Sequence, residues 1–123
     1  MVAEDDRINL LVARKVISNI LPQAQILEAT DGASAVTLFR EHRPQLIFMD
    51  LQMPHTDGYQ ATAEILELAA ADEDGETPSI VALTAGVVDG EDERCRQAGM
   101  YGYLTKPVDR DRLQEIIESV FGA

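Results

Sequence analysis

Five short apolar runs, each followed by a longer stretch of helical periodicity, limit what this chain can fold into. The runs lie at residues 1–3, 25–29, 46–49, 79–83 and 102–104; the helical patterns cover about 7–20, 33–42, 58–71, 88–98 and 110–121. The clearest run, Leu46-Ile47-Phe48-Met49, is too short for a helix and too apolar to alternate, so it reads as a strand buried on both faces. Five βα units are predicted. Parallel strands cannot be joined by tight hairpins, so the helices act as crossovers and cover both faces of one doubly wound parallel sheet. With 123 residues, 46% of them hydrophobic and 26% charged, the chain has the material for one domain spanning 1–123.

Charge narrows the choice of ligand. Ten Lys and Arg against 22 Asp and Glu give a formal charge of −12, which argues against nucleic acid and anionic membranes as direct ligands and favours a cation. The single cysteine, Cys95, cannot form an internal disulfide, and no apolar run reaches the length of a membrane span. A cytoplasmic setting is expected. Met1-Val2-Ala3 leaves little room for a first strand, which implies either a chain cut close at its start or a frayed strand, and no output segment is expected after Val120.

Sheets of this type gather their chemistry at the carboxyl ends of the strands. The first run ends in Glu4, Asp5 and Asp6, the third in Asp50, the fourth in Thr84 and Ala85, and the fifth in Thr105, Lys106 and Pro107. If the first and third strands are neighbours, their carboxylates converge and repel unless a cation joins them. A hard divalent ion with oxygen ligands fits, and Mg²⁺ fits best because it accepts a few carboxylates together with waters and phosphate oxygens. Lys106 adds what metal storage alone has no use for. An ammonium at the same rim suits a phosphoryl group, whose oxygens need positive charge from both metal and lysine. Asp50 is then the best candidate nucleophile, because a carboxylate attacking phosphorus gives an acyl phosphate.

The segments "AEDDRIN", "MDLQMPHTDG", "ALTA" and "GYLTKP" resemble the response regulator receiver domain of two-component signalling, in the family's order and across nearly the whole chain. "MDLQMP", "GVVDGEDERCRQAGM" and "EDDRIN" are most similar to receivers of hybrid sensor histidine kinases. The resemblance implies a flavodoxin-like (βα)5 fold with strand order 2-1-3-4-5. It makes Asp50 the phosphoacceptor, Asp5 a direct Mg²⁺ ligand, Glu4 a ligand through water, and the Gln52 backbone carbonyl the last protein ligand. Thr84 corresponds to the switch hydroxyl, Lys106 to the phosphate-binding lysine, and Tyr103 to the aromatic whose rotation follows Thr84. The Lys106-Pro107 bond corresponds to the family's usual cis peptide. Lifetime in the family depends on the positions held here by Gln52, Ala85 and Gly86, which implies slow hydrolysis of the phosphorylated state. The implied donor is a histidine kinase or a histidine phosphotransfer domain. The implied role is a switch or relay and not a metabolic enzyme, free in the cytoplasm or part of a membrane-bound hybrid kinase.

Other readings of these residues remain. Asp6 serves equally well as the N-cap of the helix starting at Arg7. Tyr103 also reads as a core-edge aromatic, Cys95 as a partly packed thiol, and His42 and His55 as solvated surface residues. An aspartate-nucleophile phosphatase would need a second Asp two residues after the nucleophile, where this chain has Gln52. No G-x-G-x-x-G or P-loop follows any strand, which makes a nucleotide-binding reading weaker still. On a helical wheel, residues 7–20 place Val12, Ala13, Val16, Ile17 and Ile20 towards the sheet. Leu10, Leu11, Arg14 and Lys15 are then the expected surface for a helical phosphotransfer partner.

Overall fold

The run Leu46–Met49 extends through the aspartate that follows it, and strand β3 (Leu46–Asp50) is buried along its whole length. A computed structural model of the chain describes residues 1–53, 57–72, 75–86 and 90–122. Around β3 stand β1 (Val2–Ala3), β2 (Glu28–Ala29), β4 (Ser79–Thr84) and β5 (Gly102–Thr105). The helices are α1 (Arg7–Ile20), α2 (Gly32–His42), α3 (Gly58–Ala71), α4 (Glu91–Gln97) and α5 (Arg110–Phe121). All strand pairs are parallel and the order is β2-β1-β3-β4-β5, as the resemblance implied.

Side chains alternate across the strands with period two, so the sheet feeds two apolar layers. Ile47, Met49 and Ile80 point into a layer closed by Phe39 of α2 and Ile65 of α3. Phe48, Val81 and Leu83 point into the other, closed by Ile17 of α1 with Leu113 and Ile117 of α5. Each fully buried Phe, Leu or Ile contributes about 1.5–3 kcal/mol through area removed from water, so these layers hold the helices on the sheet.

Although β1 has two residues, it is not frayed: Val2 and Ala3 are fully buried and pair with β2 on one side and β3 on the other. The Glu4 N–H continues the ladder, donating to the Ala29 carbonyl at 2.9 Å, so the residues after β1 leave the sheet from a fixed point.

Three helices begin at aspartates whose side chains accept from the first free N–H groups: Asp6 for α1, Asp31 for α2 and Asp57 for α3. Helix α4 is shorter than the predicted 88–98; it ends where Gly99 takes φ 89°, a left-handed conformation that stops a helix. Residues 88 and 89 lie outside the described residues.

The predicted orientation of α1 requires correction. Leu10 is buried with Ala13 and Ile17, while Val12 is exposed. The stripe at 10, 13 and 17 is the one that meets the second apolar layer, so the helix is turned by part of a revolution from the predicted face. Its outward face carries Ile8, Leu11 and Val12, which with Lys15 fall within an arc of about 100°. Among the described residues, no helix is long and apolar enough to cross a membrane.

Candidate functional site

Because the strands are parallel and in register, Ala3 beside Met49 and Asp50 beside Leu83, their carboxyl ends meet along one edge of the sheet. Carboxylate oxygens of Glu4, Asp5 and Asp50 lie within 4.8 Å of one another there. Glu4 and Asp50 are only 1% and 2% exposed, whereas Asp5 faces solvent. Two carboxylates so close and so buried need compensation. Lys106 supplies part of it, with Nζ 3.2 Å from Glu4 Oε2 and 3.3 Å from Asp50 Oδ1. The backbone N–H of Gln52 donates to Asp50 Oδ1 at 3.0 Å, and the Asp6 N–H and Asn9 Nδ2 donate to Glu4 Oε1.

Burial nevertheless holds the Asp50 carboxyl above its ordinary value, with the Gln52 N–H and Lys106 pulling down and Glu4 pushing up. For Lys106 the balance falls the other way. Burial alone would lower its affinity for a proton, but Asp50 and Glu4 raise it overall, so the ammonium is secured. The rim is therefore an excess of oxygen anions around one fixed cation.

A hollow of about 190 Å³ opens beside Asp50 and is lined by Gln52, Thr84, Ala85, Glu91, Arg94 and Lys106 among others. Thr84 ends β4, and its hydroxyl donates towards the Gly86 carbonyl at 2.8 Å and Glu91 Oε1 at 3.0 Å. Across the hollow, the Arg94 guanidinium lies 4.2 Å from the centre of the Tyr59 ring, and the Tyr59 hydroxyl meets Cys95 Sγ at 3.6 Å. The N-terminus of α3 presses on β3: a Cβ on Gly58 would stand 2.4 Å from the Asp50 carbonyl oxygen. A second hollow of about 170 Å³, lined by Met1, Ile17, Leu21, Ile26 and Phe121 among others, presents no charged side chain to a phosphate.

Glu4, Asp5, Asp50, Thr84 and Lys106 are thus gathered as predicted from their strand-end positions. The Gln52 side chain is exposed and its main chain contacts Asp50 through N–H. Tyr103 is partly buried against the first apolar layer, and the Lys106-Pro107 peptide is cis. Leu11, Arg14 and Lys15 are exposed on α1, with Arg14 paired to Glu28 at 2.6 Å. Leu10 is withdrawn into the core and cannot belong to a surface patch. Asp6 is the N-cap, His42 is exposed, and Cys95 is buried more deeply than expected. His55 lies outside the described residues. Glu91, Tyr59 and Arg94 were not anticipated as neighbours of Asp50, since no spacing in "GEDERCRQ" separates Glu91 from the acids beside it.

The sequence profile of the response regulator receiver domain matches residues 1–118. The chain belongs to that family. It is 33% identical to the polar-differentiation response regulator DivK of Brucella anthropi over 122 residues, covering 99% of this chain and 94% of DivK. Among solved structures it is similar to the receiver domain of a sensor histidine kinase from Pseudomonas aeruginosa, which holds a magnesium ion in its active-site cleft. There the TM-score is 0.81 and the identity 35%, with 99% of this chain and 95% of that one covered. A second similar structure is the receiver domain of a Saccharomyces cerevisiae response regulator, co-crystallised with its histidine phosphotransfer protein; TM-score 0.83, identity 28%, coverage 95% and 83%. This receiver of two-component signalling therefore has the expected doubly wound fold. Its own donor set suits Mg²⁺: three carboxylates, all hard oxygen ligands, at a spacing one ion can bridge.

Proposed function

We propose that residues 1–123 act as one phosphoacceptor module in which Asp50 takes a phosphoryl group from a partner phosphohistidine. An Asp50 oxygen bonds to phosphorus as the P–N bond breaks and its electron pair returns to the imidazole, leaving an acyl phosphate. Glu4, Asp5, Asp50 and the Gln52 carbonyl would hold Mg²⁺, which when bound offsets the charge of the phosphoryl oxygens and of the carboxylates around it. Lys106, already seated between Glu4 and Asp50, exchanges a carboxylate for a phosphoryl oxygen. Thr84 turns its hydroxyl to another phosphoryl oxygen, and Tyr103 follows it.

Hydrolysis is slow in this reading, because the exposed Gln52 is no strong base and Ala85 and Gly86 offer none. The module serves as a switch or relay in the cytoplasm, on its own or within a hybrid kinase, and not as a metabolic enzyme. A histidine kinase or histidine phosphotransfer domain is the donor. The single observation that carries the proposal is the meeting of two buried carboxylates, one exposed carboxylate and one lysine at the carboxyl edge of the sheet.

Asp50→Asn tests it. The variant should fold and take no label from acetyl phosphate or from a phosphohistidine donor, as read by intact mass, and chelation of divalent ions should stop labelling of the unmodified chain. Undiminished phosphoaspartate in the variant would refute the assignment.

A further inference from the structure

Thr84 has one hydroxyl proton to donate, and in this structure two acceptors share it, the Gly86 carbonyl and Glu91 Oε1. A carboxylate is the stronger acceptor of such a proton than a neutral carbonyl. Glu91 opens α4 and lines the hollow beside Asp50, so its charge faces the space a phosphoryl group would enter. The same helix is tied to α3 by two further contacts, Arg94 over the Tyr59 ring and Cys95 against the Tyr59 hydroxyl. It is tied to the end of β4 through Glu91 and Thr84.

We propose that Glu91 is a positioning residue that holds the Thr84 hydroxyl in the free receiver, so that a phosphoryl group on Asp50 must win this proton from Glu91 and in doing so releases the first turn of α4 from β4. The proposal rests on the reading of Asp50 as acceptor and Thr84 as switch. One proton cannot serve Glu91 and a phosphoryl oxygen together, and the two anions repel across the hollow. Glu91 therefore opposes the phosphorylated state twice, by hydrogen bond and by charge. The contact sets the energy gap between free and phosphorylated conformations, and α4 becomes the element through which that gap is read out.

The test is binding of beryllofluoride with Mg²⁺, a non-covalent stand-in for the phosphoryl group, followed by NMR on the full chain. Glu91→Ala should bind it about tenfold more tightly than the unmodified receiver, the scale of one hydrogen bond to a charged group. In the free protein, Glu91→Ala should also average the Thr84 side-chain rotamer and speed amide exchange in the first turn of α4. Glu91→Gln, which keeps an acceptor and loses the charge, should hold the Thr84 rotamer fixed and gain only part of the affinity. In a Thr84→Ala background the further change Glu91→Ala should yield a clearly smaller gain, because the hydrogen-bond part has already gone. Equal affinity in the unmodified chain and Glu91→Ala, or an undisturbed Thr84 rotamer in Glu91→Ala, would overturn the latch alone. No beryllofluoride binding by the unmodified chain would overturn the acceptor reading and the latch together.

Discussion

Asp50 shows how one buried charge can be both a cost to folding and the means of function. Its carboxyl is held above the ordinary aspartate value of 3.8, first by burial. As pH rises through that value, the unfolded chain releases this proton before the folded one does, so the folded state binds more protons and stability falls across the window above 3.8. In chelator, Asp50→Asn should therefore be more stable than the unmodified chain at neutral pH, and urea denaturation should show the difference vanish below the ordinary aspartate range. Lys106→Met should act in the opposite direction. It leaves Glu4 and Asp50 unpaired and should cost about 2 kcal/mol, less than the ~3–5 for a fully buried pair, because the lysine side chain keeps 18% exposure. Combining it with Asp50→Asn should recover part of the loss. Asp50 was legible in the sequence as a charge at the exit of an apolar strand, whereas Lys106, an ordinary surface lysine if taken alone, was legible only through its joint placement with the strand-end carboxylates. Glu91 was not: it lies among Asp92 and Glu93 in an acidic helix start, and only the fold brings it to Thr84.

Elements were easier to read than their rotation. Among the described residues, each of the five helices and five strands overlaps the segment that apolar periodicity gave it, since period survives in sequence, and the aspartate caps fix where α1, α2 and α3 begin. The phase of α1 was misread because Leu10, Leu11, Val12 and Ala13 form one continuous apolar block, in which periodicity alone does not say which residues face the sheet. Strand β2 was predicted over 25–29 and spans Glu28–Ala29, since at the sheet edge only the residues opposite the two-residue β1 find a partner. One close contact between elements is equally invisible in a linear pattern. Gly58 begins α3 with no room for a methyl group against the Asp50 carbonyl and Leu51 Cα. Gly58→Ala should push α3 away from β3, costing about 1–3 kcal/mol as an overpacked site. It should also slow labelling by acetyl phosphate, because the main chain that shapes Asp50 must shift. A variant with unchanged melting temperature and unchanged labelling would show that this contact is slack.

At the scale of the whole molecule, the cations near the site matter because they are few. Lys15 lies among the exposed Ile8, Leu11 and Val12, and Arg14 lies beside them, on a protein with a formal charge of −12. If this face receives the phosphotransfer partner, Leu11→Asp should slow exchange with a histidine phosphotransfer domain about tenfold or more, the cost of a charge in an apolar contact. Labelling by acetyl phosphate should hardly change, since a small donor needs the site and not the helix. Equal loss with both donors would make Leu11 structural. The surplus of acid also acts before any contact forms. A small phosphorylated anion approaches against the field of the whole domain, so its labelling rate should rise as added salt shortens the Debye length towards about 8 Å. A partner that presented its own surface to α1 would be spared much of that resistance. If labelling does rise with salt in this way, the acidic shell would work as insulation, damping chance phosphorylation by small acyl phosphates and leaving the signal to a donor able to dock.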